Sequence, residues 1–195
     1  MAALIPSANA AGSGTMTLAG PSTNSNRTIN IPDVNGTFIT TATAGTILQV
    51  VNYQTGAVMT GGASTIAYSD AIPTNTQGTE FFTLAITPTS ATSKLVINFS
   101  TVLNHTVSTA ILNTCLFQDS ISGALTVASS QNVNSGGLMV VSGSHYMTAG
   151  TTSSTTFKIR CGSASSATVT LNGVNGSRFY GGTSNSYITI MEIAA

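Results

Sequence analysis

The sequence predicts an all-β protein, an antiparallel sandwich or jelly roll, on three observations. Apolar and polar residues alternate at a period of two along most of the chain, and no apolar stripe recurs at 3.6 residues. The alternating runs are about nine in number, short, and separated by Gly, Asn and Ser turns. The composition favours strands and tight turns: Ser and Thr fill 58 of 195 positions, whereas Lys and Arg together fill five.

Residues 1–14 are small and apolar to neutral. Residues 16–41 contain two strand-like pieces, Met16–Leu18 and Thr28–Ile31, and an Asn35-Gly36 turn signal before Thr37–Thr40. This block is too short to bury a core alone. Residues 1–44 are therefore expected to be an attachment or linker segment, and residues 45–195 the jelly-roll domain. Within that domain the first strand is predicted over Thr46–Tyr53, an edge strand over Ser64–Tyr68 and a third over Glu80–Thr87, stopped by Pro88. Lys94–Thr101 alternates with Leu95, Ile97 and Phe99 on one face; Ala110–Gln118 alternates with Leu112 and Leu116 opposite Ile111, Cys115 and Phe117. Strands follow at Ala124–Ala128, Gly137–Met147, Thr155–Cys161, Ala167–Leu171 and Tyr187–Ile193.

The last of these is unusual. Ile188 and Ile190 point one way, and Tyr187, Met191 and Ile193 the other. A strand apolar on both faces needs two covers. With no helix predicted to supply one, these five residues are read as the interface with further copies of the same chain.

Charge and motif content narrow the function classes. The formal net charge is zero, which weakens colloidal repulsion. There is no basic patch to support nucleic-acid binding and no run of eighteen apolar residues to cross a membrane. The first residues lack the basic region of a secretory signal. The five carboxylates, Asp33, Asp70, Glu80, Asp119 and Glu192, are scattered rather than paired, and His105 and His145 lack metal-ligand spacing. Both histidines are expected at a surface or sheet edge. No catalytic residue, metal site or cofactor is predicted. Gly136-Gly137, Gly173 to Gly176 and Gly181-Gly182 follow no phosphate-loop pattern and read as turns. Cys115 and Cys161 fall within apolar strand patterns and read as buried thiols. Glu192, on the side of Ile188 and Ile190, is expected in a salt bridge, with Arg178 or Arg160 as partner, or in a capped network.

One segment suits carbohydrate contact. Residues 173–187 combine Arg178, Phe179 and Tyr180 with Gly and Asn turns, and rings and amides of this kind stack on and hydrogen-bond to sugars. Tyr146 is a further candidate. The same segment equally reads as a packed loop beside the last strand.

Residues 16–39, with Arg27, Thr28, Pro32, Asp33, Gly36 and Thr37 at their spacing, resemble a module of tailed-bacteriophage fibre proteins. The remainder, with Gly45–Val50 at its start and Gly176-Ser177-Arg178-Phe179 and the terminal ITIMEI at its end, resembles distal domains of phage fibre and virion surface proteins with TNF/C1q-like jelly rolls. The resemblance implies a homotrimer with its last strand near the three-fold axis. It implies a non-enzymatic virion component, most simply a tail fibre or fibre tip that binds host surface polysaccharide. A capsid decoration protein or head fibre, held by other virion proteins through the N-terminal segment, is the alternative. A carbohydrate-binding module or a cellular C1q/TNF-type ligand is a further one.

Overall fold

Strands with one apolar face pair into sheets, and two sheets bury those faces against each other. The computed structural model describes residues 43–62 and 64–195. In it the chain runs β1 (Ile47–Thr55), β2 (Met59–Gly61), β3 (Thr79–Ile86), β4 (Lys94–His105), β5 (Ala110–Gln118), β6 (Thr126–Asn132), β7 (Met139–Thr148), β8 (Thr155–Ser163), β9 (Val169–Leu171), β10 (Gly173–Val174), β11 (Ser177–Arg178) and β12 (Ser186–Ile193). A single 3-10 turn covers Tyr180–Gly182, and no α-helix occurs among the described residues. Residues 1–42 of the predicted attachment segment, including Arg27 to Thr37, lie outside the described residues.

Every pairing between strands is antiparallel. One sheet has the order β1-β12-β4, with β7 on the other side of β4 and β9 and β2 extending it; the second has the order β3-β8-β5-β6. Counting only the eight long strands in chain order, the first sheet reads one-eight-three-six and the second two-seven-four-five. That interleaving of two Greek keys is a jelly roll.

The core is built from the predicted alternation. Leu95, Ile97 and Phe99 from β4 meet Leu112 and Leu116 from β5 and Phe157 and Ile159 from β8. Hydroxyls also enter this core. Thr101 Oγ1 and Thr114 Oγ1 lie 2.7 Å apart, joining the two sheets, and Thr101 also donates to the Val141 carbonyl at 3.1 Å. A chain so rich in Thr and Ser can bury them because each finds a partner.

Part of the outer face of the second sheet is covered from within the chain. Residues 64–78 descend across it: Thr65 bridges Ser163 and Thr74 bridges Gly123. Ile66 thereby packs on Cys115 and Phe117 in a second small core. This explains why β5 is apolar on both sides. It also corrects the edge strand expected over Ser64–Tyr68, which is a strap held by one bridge, with Ile66 N–H donating to the Ser163 carbonyl at 3.0 Å and the Ile66 carbonyl accepting from Asn113 Nδ2 at 2.9 Å. Burial pushes both thiols up to about 12, leaving Cys115 and Cys161 as protonated core residues.

Three further expectations change. Ile188 and Ile190 are wholly buried within the chain's own core, so they have no surface to offer another copy. His105 is buried at the end of β4 rather than placed at a surface, because β9 pairs alongside it. Glu192 is buried too, and without a cation: Arg160 pairs with Glu80 at 3.4 Å, and Arg178 is exposed at the end of β11. The capped-network alternative is what the structure contains.

Candidate functional site

Two regions of the surface have the chemistry of a contact site. The first is the outer face of the β1-β12-β4-β7 sheet. Strand register places Val50, Met191, Val96 and Tyr146 in one row across all four strands. Ile47 pairs with Ile193 in the adjoining row. Val50 is 54% exposed, Ile47 55% and Tyr146 63%. The next row on the other side is polar, Asn52, Thr189, Asn98 and Ser144, with Asn52 Nδ2 donating to Thr189 Oγ1 at 2.7 Å. An apolar stripe bordered by amides and hydroxyls has the layout of a contact face. Of the five predicted interface residues, Met191 and Ile193 lie on the stripe, Tyr187 lies on the same face beyond the polar row, and Ile188 and Ile190 lie in the core.

The second region is the end of the sandwich reached by the C-terminal ends of β1 and β4. Here the chain between β9 and β12 forms a tight hairpin. Gly173 pairs with Arg178 and Val174 with Ser177 around Asn175-Gly176, whose φ values of 48° and 80° are those of a type I′ turn. Phe179 and Tyr180 follow. Their rings stand edge to face with centroids 6.3 Å apart. Tyr180 has φ 50° and is 72% exposed. A left-handed conformation at a non-glycine residue costs on the order of 1 kcal/mol. It is held by Thr183, whose backbone N–H and Oγ1 both donate to the Tyr180 carbonyl, at 3.1 and 2.7 Å.

This end is rigidly backed. Asn172 Nδ2 donates to the carbonyls of Thr55 and Ala57 at 2.8 and 3.1 Å, and its Oδ1 accepts from Ser186 Oγ at 2.7 Å. Asn104 Nδ2 donates to the carbonyls of Ser135 and Gly137 at 2.6 and 2.9 Å, while Oδ1 accepts from Asn175 N–H at 3.2 Å. A side chain at Gly56 would collide with the Gly182 carbonyl, so the turn is seated directly on the end of β1. Sequence reading found the rings and the arginine. It did not find Asn172, Asn104 and Gly56, which carry no motif; Asn104 and Gly56 act from 71 and 126 positions away.

Tyr146 does not join this loop. Its partner Val96 stands seven residues along β4 from Leu103, where the loop-bearing end begins, or about 23 Å. The carboxylates remain apart from it as well. Asp119 accepts from Thr155 Oγ1 and Thr156 N–H, both at 2.7 Å, Glu80 pairs with Arg160, and Asp70 is exposed in the strap. No group of three potential metal ligands occurs among the described residues. A groove of about 510 Å³ lined by Leu48, Thr89, Ser93 and Ala194 lies at the opposite end, over Glu192.

No family model and no curated protein matches the chain. Among solved structures it is similar to the Eiger TNF of S. frugiperda, at 7% identity over 74% of this chain and 93% of that one, with a TM-score of 0.38. It is also similar to infectious bursal disease virus, Gx strain, at 15% identity over 85% of this chain and 43% of that one, with a TM-score of 0.35. A third likeness is to dimeric latent PorU from Porphyromonas gingivalis, at 12% identity over 78% and 14% of the two chains, with a TM-score of 0.36. The chain thus spans less than half of the second and third of these proteins. With likenesses this distant, the strand order of the two sheets is what assigns the chain to the antiparallel jelly rolls.

Proposed function

We propose that this chain is a self-associating structural component of a virus particle. It would assemble as a homotrimer through the outer face of the β1-β12-β4-β7 sheet and present the loop-bearing end to the host surface. The observation that carries the reading is the stripe of Val50, Met191, Val96 and Tyr146, which the fold leaves without a cover from the described residues. The other sheet carries the strap over Cys115 and Phe117, whereas this one has no such segment across it among the described residues, which favours it as the seat of a second copy.

The polarity of the fold suits attachment at one end and contact at the other. The described chain enters beside Ala194, where Gly45 N–H donates to the Ala194 carbonyl at 2.9 Å. The Arg178–Tyr180 loop lies at the far end of β1, nine residues or about 26 Å away. The resemblance of residues 16–39 to a phage fibre module supports a tailed-phage particle. On that basis a tail fibre or fibre tip is the leading assignment, and a capsid decoration protein or head fibre the second. Neither requires chemistry at a catalytic centre.

Light scattering on the purified chain, followed by cryo-electron microscopy of intact particles, tests this. Three copies in solution and three-fold density at the tail periphery support the fibre. Density seated on the capsid lattice supports decoration. A monomer absent from the particle overturns the structural reading.

A further inference from the structure

We propose that the Arg178–Tyr180 loop binds an anionic polysaccharide, with the Arg178 guanidinium on a carboxylate or phosphate group and the adjacent rings on the sugar. This inference rests on the host-contact role proposed for that end of the molecule and names its ligand class.

The charge distribution singles out Arg178. The loop-bearing end consists of residues 56–61, 106–109, 133–138, 164–168 and 172–185. Those stretches contain one formal charge, Arg178. Asp70, the acidic residue of the β1–β3 connection, belongs to the strap over the other sheet. Glu80 is paired with Arg160. Arg178 is exposed and makes no ion pair among the described residues. In a protein that makes its surface from hydroxyls and amides, a lone cation sets the sign of the field at this end.

Its position is fixed rather than free. The hairpin register pins its backbone opposite Gly173. Its Cδ and Nη1 lie 3.5 Å from where a Cβ on Gly182 would stand, so the side chain runs over the turn that follows it. Gly182 has φ 88° and Gly181 φ 65°, which keeps this path open and brings Phe179 and Tyr180 to the same turn. A guanidinium can then make a bidentate bond to a carboxylate or phosphate, while the exposed Tyr180 ring offers an apolar face to a pyranose.

The chain in its assembled form is passed over immobilised polyuronate, polyglycerol phosphate and neutral dextran. Retention on at least one acidic polymer, falling with added salt, is expected, together with little on dextran. Arg178→Gln should weaken that retention at least tenfold, Arg178→Lys should restore part of it, and Tyr180→Asn, which tolerates the left-handed backbone, should also weaken it. Retention on the acidic polymers that Arg178→Gln leaves unchanged overturns the proposal. So does equal retention on dextran, which would keep host-surface adhesion and remove only its anionic specificity. Failure to bind either acidic polymer, or equal retention by a DNA oligomer, also overturns it. Particle incorporation of the same variants is scored separately, so loss of the virion role is distinguishable from loss of the ligand.

Discussion

Ser93 Oγ donates a 2.6 Å hydrogen bond to Glu192 Oε1 across 99 positions of sequence, inside a site where neither side chain reaches solvent. Gln49 Nε2, the N–H and Oγ1 of Thr89, and the Ser90 N–H complete the set of donors. The carboxylate therefore ties the β3–β4 connection to the last strand and the first. Five neutral donors do here what a cation would do elsewhere. Glu192→Leu removes the shared acceptor of all five donors and strands the buried Ser93 hydroxyl among them, and should lower unfolding free energy by about 3 kcal/mol. Urea unfolding of the two proteins checks this; an unchanged midpoint would show that the network is dispensable.

Acid should release the same tie. Burial alone would raise the Glu192 pKa, but the hydrogen bonds from Gln49, Ser93 and Thr89 outweigh it and hold the carboxyl below its ordinary 4.5. A group with a depressed folded pKa contributes stability that is fully present above the unfolded value and is lost as pH falls through the folded one. The urea midpoint should thus lose the Glu192 contribution only below pH 4.5, as protonation proceeds. In Glu192→Gln that part of the acid dependence should be missing.

Gly143 on β7 faces Phe99 on β4, and a Cβ at position 143 would collide with the Cζ end of the Phe99 ring. Phe99 is buried and cannot swing aside. Gly143→Ala should destabilise by about 2 kcal/mol through overpacking. Pairing it with Phe99→Leu should recover part of the loss, a non-additivity that a double-mutant cycle reads directly.

Folding and assembly should separate between two positions that the sequence alone would group together. Ile190→Asp places a carboxylate in the core beside Ile97 and should prevent folding, at a cost above about 4 kcal/mol. Val50→Glu lies on the exposed stripe and should leave the melting of the monomer within about 0.5 kcal/mol while abolishing self-association. Sedimentation velocity and circular dichroism distinguish the two; assembly of Val50→Glu at wild-type affinity would remove the stripe from the interface.

Period-two alternation was sufficient to place the long strands, because each strand needs one apolar face and turn residues mark its ends. β5 was found to the residue, and the start of β4 at Lys94 and of β8 at Thr155 likewise. Alternation also put Ile188, Ile190 and Glu192 on a common face. What it could not say is which face looks inward, since that depends on the sheet packed against it. Only the tertiary structure decided that Ile188 and Ile190 fill this chain's core, while Met191 and Ile193 look out. The partners of Glu192 were equally hidden. Hydroxyls and amides from residues 49 and 89–93 carry no charge signal in sequence, and only the closing of the sandwich brings them to one carboxylate. The Arg178–Tyr180 loop was legible by composition, but its shape depends on Asn172, Asn104 and Gly56, which meet it only because β1, β4 and β12 end together.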